Sequence, residues 1–432
     1  MSPGGDFVAI LLDLKHLAWT LSFLFTIYIA YYAVFSLLSL KRSKALKECA
    51  PQNRFAIVIA ARNEACVIGN LVESLMVQNY PKELYDVYVV PNNCTDNTGA
   101  AAREAGALLL ECRVPVKSKG QVLNDTFDQL LSGGGYDAFC VFDADNLVHQ
   151  DFLKSMNNAL CAGARVGQAY RDSKNPYDSV VSGCYSVYYW MINRLINHTR
   201  SVVGLSAIIN GSGFMVRADL LQEMGGWHTF TMTEDIEFTT QCLLRGEKVM
   251  WVPDARIYDE QPVTFAQSWK QRKRWSTGLL QGFELYFTKL VKAVFVEKKV
   301  NCIDQMVFLL APCMQVIYIA SLAVGLLLDL CYVKYDLFPE KVLYYKMFVS
   351  LNVSYLTTLA LSVYTIIMER KSSLRILGGA AAYWLFIVSW IPINIICLFR
   401  KTTTWDEIKH TRNVSIDEIS GGRKQPSFLK IT

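Results

Sequence analysis

The chain has 432 residues, of which 52% are hydrophobic and 19% charged, with a net charge of +5. About 25% charged side chains is usual for a soluble protein, so the composition excludes a disordered chain, and twelve cysteines are too thinly spread for a small disulfide scaffold. The length allows two or three domains, and the weak charge, with no basic patch interleaved with aromatics, argues against nucleic acid as a partner.

The hydrophobicity is concentrated. Leu17–Leu40, Gln305–Leu328, Met347–Met368 and Ile376–Phe399 contain no Asp, Glu, Lys or Arg, and each is 22 to 24 residues long. A helix of roughly 20 apolar residues spans a hydrocarbon core. The other 338 residues carry all 81 charged side chains, an ordinary soluble composition.

The first run is preceded by Lys15 and His16 and followed by Lys41, Arg42, Lys44 and Lys47. It has no small-residue cleavage site and reads as an anchor, with the basic flank putting the long middle region in the cytoplasm. From Pro51 to about Gly204, short apolar runs alternate with helical stretches. Phe55–Ala61, Tyr85–Val90, Ala107–Cys112 and Ala138–Phe142 read as strands, with helices over Cys66–Val77 and Gly99–Gly106. Apolar strands separated by helices predict a parallel sheet covered on both faces, and such sheets bind ligands at the carboxyl ends of their strands.

Three polar clusters stand at those ends: Arg62-Asn63-Glu64, Asn92 to Asp96, and Asp143-Ala144-Asp145. Each alone is compatible with turn chemistry and capping. Two carboxylates on alternate residues after an apolar strand can also converge on one hard divalent cation and its phosphate ligands. Lys119-Gly120, expected in the loop before, offers a cation and close backbone approach. Asn210 to Gly213 reads as a flexible loop. Thr233-Glu234-Asp235 reads as a capped helix start that can still aim one carboxylate into a cleft as general base. Gln271, Arg274 and Trp275 share one face of a basic, aromatic-bearing helix ahead of the second apolar run.

The loop 369–375 is basic and expected in the cytoplasm, and 329–346 is balanced and expected outside. Four spans put both termini outside, yet the tail after Phe399 is basic, so either the tail is translocated or one span is re-entrant. The cysteines form no C-x-x-C or Cys/His pair at zinc spacing and are expected as free thiols in a reducing compartment.

D-A-D, T-E-D and Q-x-x-R-W, in this order just ahead of transmembrane helices, resemble the inverting membrane glycosyltransferases of family 2. These include cellulose, chitin, hyaluronan and poly-N-acetylglucosamine synthases and ceramide glucosyltransferase. The likeness runs from about Phe55 to Trp275. It implies a GT-A fold, an α/β nucleotide-sugar domain whose parallel-rich sheet carries helices on both faces, together with α-helical transmembrane segments. The expected division is an anchor and basic linker (1–50), the cytoplasmic transferase domain (51–263), interfacial helices with Q-x-x-R-W (264–303), three transmembrane helices (304–399) and a polar tail (400–432).

On the same resemblance, Ala61, Arg62, Glu64, Asn92 and Asp96 surround the uridine, Lys119 faces uracil or the phosphates, and Asp143 contacts the nucleotide. Asp145 binds Mg²⁺ or Mn²⁺, Asp235 is the general base with Glu234 beside it, and Gln271, Arg274 and Trp275 hold the diphosphate and acceptor. Many relatives carry an acid where this chain has Asn92, which leaves donor selectivity open. The expected activity is a metal-dependent, inverting hexosyl transfer from a UDP-sugar to a growing β-linked polysaccharide, processive and coupled to export. Transfer of one sugar to a lipid acceptor is the alternative, and a non-catalytic nucleotide-sugar-binding scaffold is a third class. The expected partners are the donor, a polysaccharide or lipid-linked acceptor and membrane lipids, with room for an oligomer or accessory subunits, in a multi-pass protein of the cell membrane.

Overall fold

The computed structural model describes residues 3–337, 339–371, 373–400 and 412–420. Eight strands form one mixed sheet: β1 (Phe55–Ala61), β2 (Tyr85–Pro91), β3 (Leu108–Leu109), β4 (Ala138–Asp143), β5 (Leu147–Val148), β6 (Val166–Ser173), β7 (Phe214–Arg217) and β8 (Val249–Asp259). The helices of the sheet-bearing domain are α2 (Ile68–Met76), α3 (Thr98–Glu104), α4 (Lys119–Gly133), α5 (Phe152–Cys161), α6 (Val180–Met191), α7 (Thr199–Val202), α8 (Ala218–Met224) and α9 (Glu234–Arg245). Before them runs α1 (Pro3–Leu37), and after them α10 (Phe265–Phe295), α11 (Asn301–Leu309), α12 (Ala311–Lys334), α13 (Glu340–Met368), α14 (Leu377–Val388), α15 (Trp390–Phe399) and α16 (Ile416–Ser420).

The strand order is β3-β2-β1-β4-β7-β6-β8-β5. β1 lies parallel to both β2 and β4, with Ala61 opposite Pro91 and Ala60 opposite Asp143. This register puts the three polar clusters side by side at one edge of the sheet. Along β1, Ala56 and Val58 enter one buried core while Phe55, Ile57 and Ile59 enter the other. A strand buried on both faces needs an unbroken apolar run, which is why β1 and β4 are conspicuous in the sequence.

Several expectations need correction. The four strands expected from the sequence do run parallel to one another, and the later strands make the sheet mixed: β7 runs antiparallel to β4 and β6, and β5 antiparallel to β8. The third strand shrinks from Ala107–Cys112 to Leu108–Leu109, an edge pairing only with Tyr88 and Val89. Lys119 opens α4 after the cap Ser118 rather than lying in a loop. The second apolar helix starts at Ala311, because Gln305 belongs to α11, where Asp304 makes a buried ion pair with Arg200. The fourth segment is interrupted at Ser389, between α14 and α15. Pro392 has no N–H to offer Val388 O, and one turn earlier the Arg272 guanidinium donates to Phe386 O at 2.8 Å and Ser389 Oγ at 2.6 Å.

The cysteines are not all free: Cys49 and Cys161 form a disulfide, and the other ten are thiols. Asn157 and Asn158 near the end of α5 hold the backbone of Cys49 and Ala50 against that helix, beside Cys161.

Among the described residues, four helical segments are long and apolar enough to cross a membrane: Ile10–Leu40, Ala311–Lys334, Glu340–Met368 and Leu374–Phe399. Trp19, Phe23, Ile27 and Val34 of the first are exposed on the outside of the molecule, an arrangement suited to lipid rather than water. The expected polar tail, 400–432, lies outside the described residues apart from 400 and 412–420. Arg412 touches the sheet-bearing domain: its N–H donates to Glu260 at 3.2 Å and its guanidinium to Asp178 at 2.5 Å.

Candidate active site

The backbone turns left-handed at Asn63 after β1 and at Asn93 after β2, conformations that Asn tolerates better than most residues. The two turns are laced together. Asn63 Oδ1 accepts from Thr95 N at 2.8 Å, and Asp96 Oδ2 accepts from Ala65 N at 3.1 Å. Asp96 also accepts from the Thr98 amide and hydroxyl at the start of α3. Burial opposes ionisation of Asp96, but the bonds from Thr98 and Ala65 prevail and hold its carboxyl below the usual range.

Beyond these turns opens a cavity of about 400 Å³, within the size range of small-molecule sites. Its wall includes Ala61, Arg62, Glu64 and Asn92 from the first two strand ends, Lys119 from α4, and Asp143 and Asp145 from the end of β4. Glu234 and Asp235 from the first turn of α9 and Gln271, Arg274 and Trp275 from α10 complete it. Of the residues individually assigned a binding or catalytic role by the resemblance, Asp96 alone stands outside this wall, occupied in the turn and cap just described.

The polar groups are held from behind. Lys119 Nζ touches Asp143 Oδ1 at 2.5 Å, Gly211 O at 2.7 Å and Glu234 Oε1 at 3.5 Å. Burial would strip its proton, but Asp143 and Glu234 outweigh that and hold its pKa above the ordinary lysine value. Burial likewise pushes against the charge on Asp143, while Lys119 and Arg171 pull its carboxyl below the usual range. Asp235 goes the other way. Burial, reinforced by the neighbouring Glu234, pushes its carboxyl up to about 7, within the range of a general base working near neutrality. The Asn210–Gly213 loop comes close to both carboxylates. A Cβ on Gly211 would stand 3.6 Å from Asp235 Oδ2 and 3.9 Å from Asp143 Oδ2.

Thr233 precedes α9 as expected, but its side chain makes no capping bond. It packs instead against Gly278 of α10, where an added Cβ would collide with Thr233 Oγ1. That contact fixes the helix bearing Gln271, Arg274 and Trp275 against the helix bearing Asp235. Trp275 stacks on Tyr188 and Trp390, with centroids 5.9 and 6.2 Å away. Gln271 Oε1 and both ends of the Asn210 amide are buried with no hydrogen-bond partner among the described residues, a costly state for polar atoms.

Sequence reasoning missed Arg171, Tyr188, Tyr189, Asp259, Glu260 and Trp390, all in the cavity wall. Arg171 and Asp259 lie near the ends of β6 and β8, so recognising those strands would have exposed them by the same strand-end rule. Among the described residues no three His, Cys, Asp or Glu side chains converge as a metal cage. The donor set of Asp145 with Asp143 nearby suits a cation that completes its shell with water and phosphate oxygens.

Residues 51–278, more than half of the chain, match the family model described as "Glycosyltransferase like family 2". A Bacillus subtilis protein named "Probable glycosyltransferase YdaM" is 28% identical over 52% of this chain and 55% of its own length. The beta-monoglucosyldiacylglycerol synthase of Synechocystis is 25% identical over 55% of this chain and 49% of its own length. The poly-beta-1,6-N-acetyl-D-glucosamine synthase of Staphylococcus aureus is 23% identical over 51% of this chain and 53% of its own. The chain thus spans about half the length of the curated relatives it matches. Among solved structures, the mannosyltransferase PcManGT of Pyrobaculum calidifontis, in complex with GDP-Man and Mn²⁺, superposes with a TM-score of 0.57 at 17% identity, over 87% of this chain and 99% of that one. That likeness bears on fold, and the sheet-bearing domain is of the GT-A type. The chain belongs to glycosyltransferase-like family 2.

Proposed function

We propose that this protein moves a sugar from a UDP-sugar to a hydroxyl of a membrane-held acceptor, with inversion at the transferred carbon. The observation that carries the reading is one cavity wall that holds Asp143 and Asp145, from the end of β4, together with Asp235 from α9, Gly211 lying close to both Asp143 and Asp235. The diphosphate belongs beside Asp143 and Asp145 and the acceptor hydroxyl beside Asp235, so the sugar lies between them.

Asp235 takes the hydroxyl proton as the acceptor oxygen attacks, the bond from the sugar to the diphosphate breaks, and its electron pair leaves with UDP. One displacement turns an α-linked donor into a β-linked product. Arg274 and Lys119 hold the negative charge that develops on the leaving group, and Glu234 keeps Asp235 basic by repulsion. Mg²⁺ or Mn²⁺, held by Asp145, supplies Lewis-acid stabilisation of the diphosphate when bound. Ala61, Arg62, Glu64 and Asn92 surround the nucleoside; Asp96, outside the cavity wall, has no part in this reading. Gln271 and Trp275 receive the acceptor.

The acceptor wall supports a lipid. Ile192, Ile208, Ile236, Leu279 and Phe308 line the cavity where it runs toward the apolar helices, a surface fit for hydrocarbon rather than for a hydrated glycan. A second reading, a growing β-linked polysaccharide passed into the bilayer, is favoured by the Trp275–Tyr188–Trp390 stack, which offers flat faces to sugar rings.

The proposed division follows the sequence: anchor and linker 1–50, cytoplasmic transferase domain 51–263, interfacial helices 264–303, and membrane helices 304–399. Contact of Arg412 with Asp178 and Glu260 supports a fourth apolar segment that enters and leaves on the domain side, interrupted at Ser389. Incubating the full chain in lipid nanodiscs with radiolabelled UDP-sugars and Mn²⁺ or Mg²⁺ tests the acceptor. A discrete product extracted into organic solvent is expected. A polydisperse, solvent-insoluble product would establish the polysaccharide reading in its place.

A further inference from the structure

The cavity wall contains a charge pair that the reaction above does not use. Arg171, on β6, is 6% exposed, and Asp259, at the end of β8, is 3% exposed. The guanidinium donates to Asp259 Oδ2 through Nη2 at 2.6 Å and through Nε at 3.1 Å, and its face lies 4.3 Å from the Tyr189 ring centroid. Asp259 is held from its other sides by Asn146 Nδ2 at 2.8 Å and Gln261 Nε2 at 2.9 Å. A buried pair so fully bonded is fixed in place, because freeing either partner leaves an uncompensated charge.

The pair is wired to both halves of the site. Arg171 Nη1 donates to Asn210 O. The Cβ position of Gly211, 3.6 Å from Asp235 Oδ2, is only 3.3 Å from Arg171 Nη1, so guanidinium and carboxylate are neighbours across that glycine. On the opposite side, Asn146 accepts from Ser212 Oγ, and Ser212 Oγ accepts from the backbone N–H of Asp143 at 3.0 Å. The loop close to both carboxylates is therefore anchored through Asn210 to Arg171 and through Ser212 to Asn146, both of which converge on Asp259.

We infer that Arg171 and Asp259 act as a paired positioning device, which fixes the Asn210–Ser212 loop and sets the basicity of Asp235 through the balance of their two charges. Other charged or titratable groups around Asp235 are Glu234 on its own helix, Lys119 on α4, Asp143 at the end of β4, Tyr188 on α6 and Arg274 on α10. Of the pair, Arg171 is the nearer to Asp235 and favours its ionised form. Asp259 offsets that charge from behind. The inference rests on Asp235 being the base.

The test is the acidic limb of the kcat/KM profile against pH, read by UDP release from the full chain in nanodiscs. Arg171→Gln removes the nearer positive charge, so the limb should move to higher pH, by about one unit for a charge at this range. Asp259→Asn leaves the cation uncompensated, so its limb should move to lower pH. Arg171→Lys keeps the charge and should hold the limb near its wild-type position even if the rate falls through lost bidentate geometry. Opposite shifts are not produced by mere loosening of the loop. Should Arg171→Gln not fold, a downward shift in Asp259→Asn with an unmoved limb in Arg171→Lys supports the inference equally. Limbs that stay put, or all move the same way, overturn it. If the wild type releases no UDP, or Asp235→Asn releases it as fast, the proposed function has failed instead.

Discussion

At the scale of single residues, the site depends on two carboxyl groups pulled in opposite directions by their surroundings. Lys119 and Arg171 prevail over burial and keep Asp143 ionised, whereas burial and Glu234 lift Asp235 to about 7. If Asp235 is the base, as proposed, its unprotonated form is the active one, so the rate should rise as pH rises through about 7 and fall about tenfold per unit below it. Glu234→Gln removes the repulsion, and the limb of its pH profile should move to lower pH; an unmoved limb would mean that Glu234 does not set this acidity. Asp143, Asp145, Asp235 and Trp275 were legible because they follow apolar strands or share a helical face in a recognisable order. Arg171 and Asp259 were not, since a buried charge pair inside a strand leaves no periodic signal. Asp96 lies outside the cavity wall, engaged in its turn and cap, and Asp beside a turn serves capping as readily as binding.

The elements show the same division. β1 and β4 are apolar on both faces until their last residues, and a run such as FAIVIAA announces them. β6 carries Gln168, Arg171 and Asp172, and β8 contains Pro253 and Asp254 where the pairing jumps from Val252 to Arg256. Such strands are set by their neighbours, not by their own pattern, so propensity gave no warning. α10 was legible as a basic, aromatic helix, but its hold on α9 was not, because Gly278 carries no side chain to read. Gly278→Ala puts a methyl group into Thr233. It should lower stability by about 1–3 kcal/mol, seen as a reduced Tm, and cut UDP release by moving Trp275 away from Asp235. An unchanged Tm would show that the two helices separate freely.

Over the whole molecule, the excess of hydrophobic residues resolves into four apolar helical segments joined to a soluble-type domain by buried polar contacts. Arg200 and Asp304 pair beneath Tyr31 of the first segment, and Glu369 at the foot of the third takes Arg194 and Tyr170 of the domain. Charge counting left the side of the tail open, since three full crossings after the domain would carry it across. In the proposed topology, the contacts of Arg412 with Asp178 and Glu260 keep that part of the tail on the domain's side. In sealed vesicles, a membrane-impermeant thiol reagent should label Glu418→Cys whenever it labels Cys66, an exposed thiol of the domain. Labelling of position 418 from the opposite face alone would require a full fourth crossing.

In the proposed mechanism, catalysis turns on one event, removal of a hydroxyl proton by Asp235 as UDP departs. UDP release should therefore be measured for the wild type and Asp235→Asn, in nanodiscs with Mn²⁺ and the donor that the wild type turns over fastest. The amide keeps the size of the carboxyl but cannot accept the proton, so turnover should fall by about 10²–10⁴-fold while UDP binding is retained. Wild-type turnover in Asp235→Asn would contradict the assignment of the base and with it the proposed mechanism.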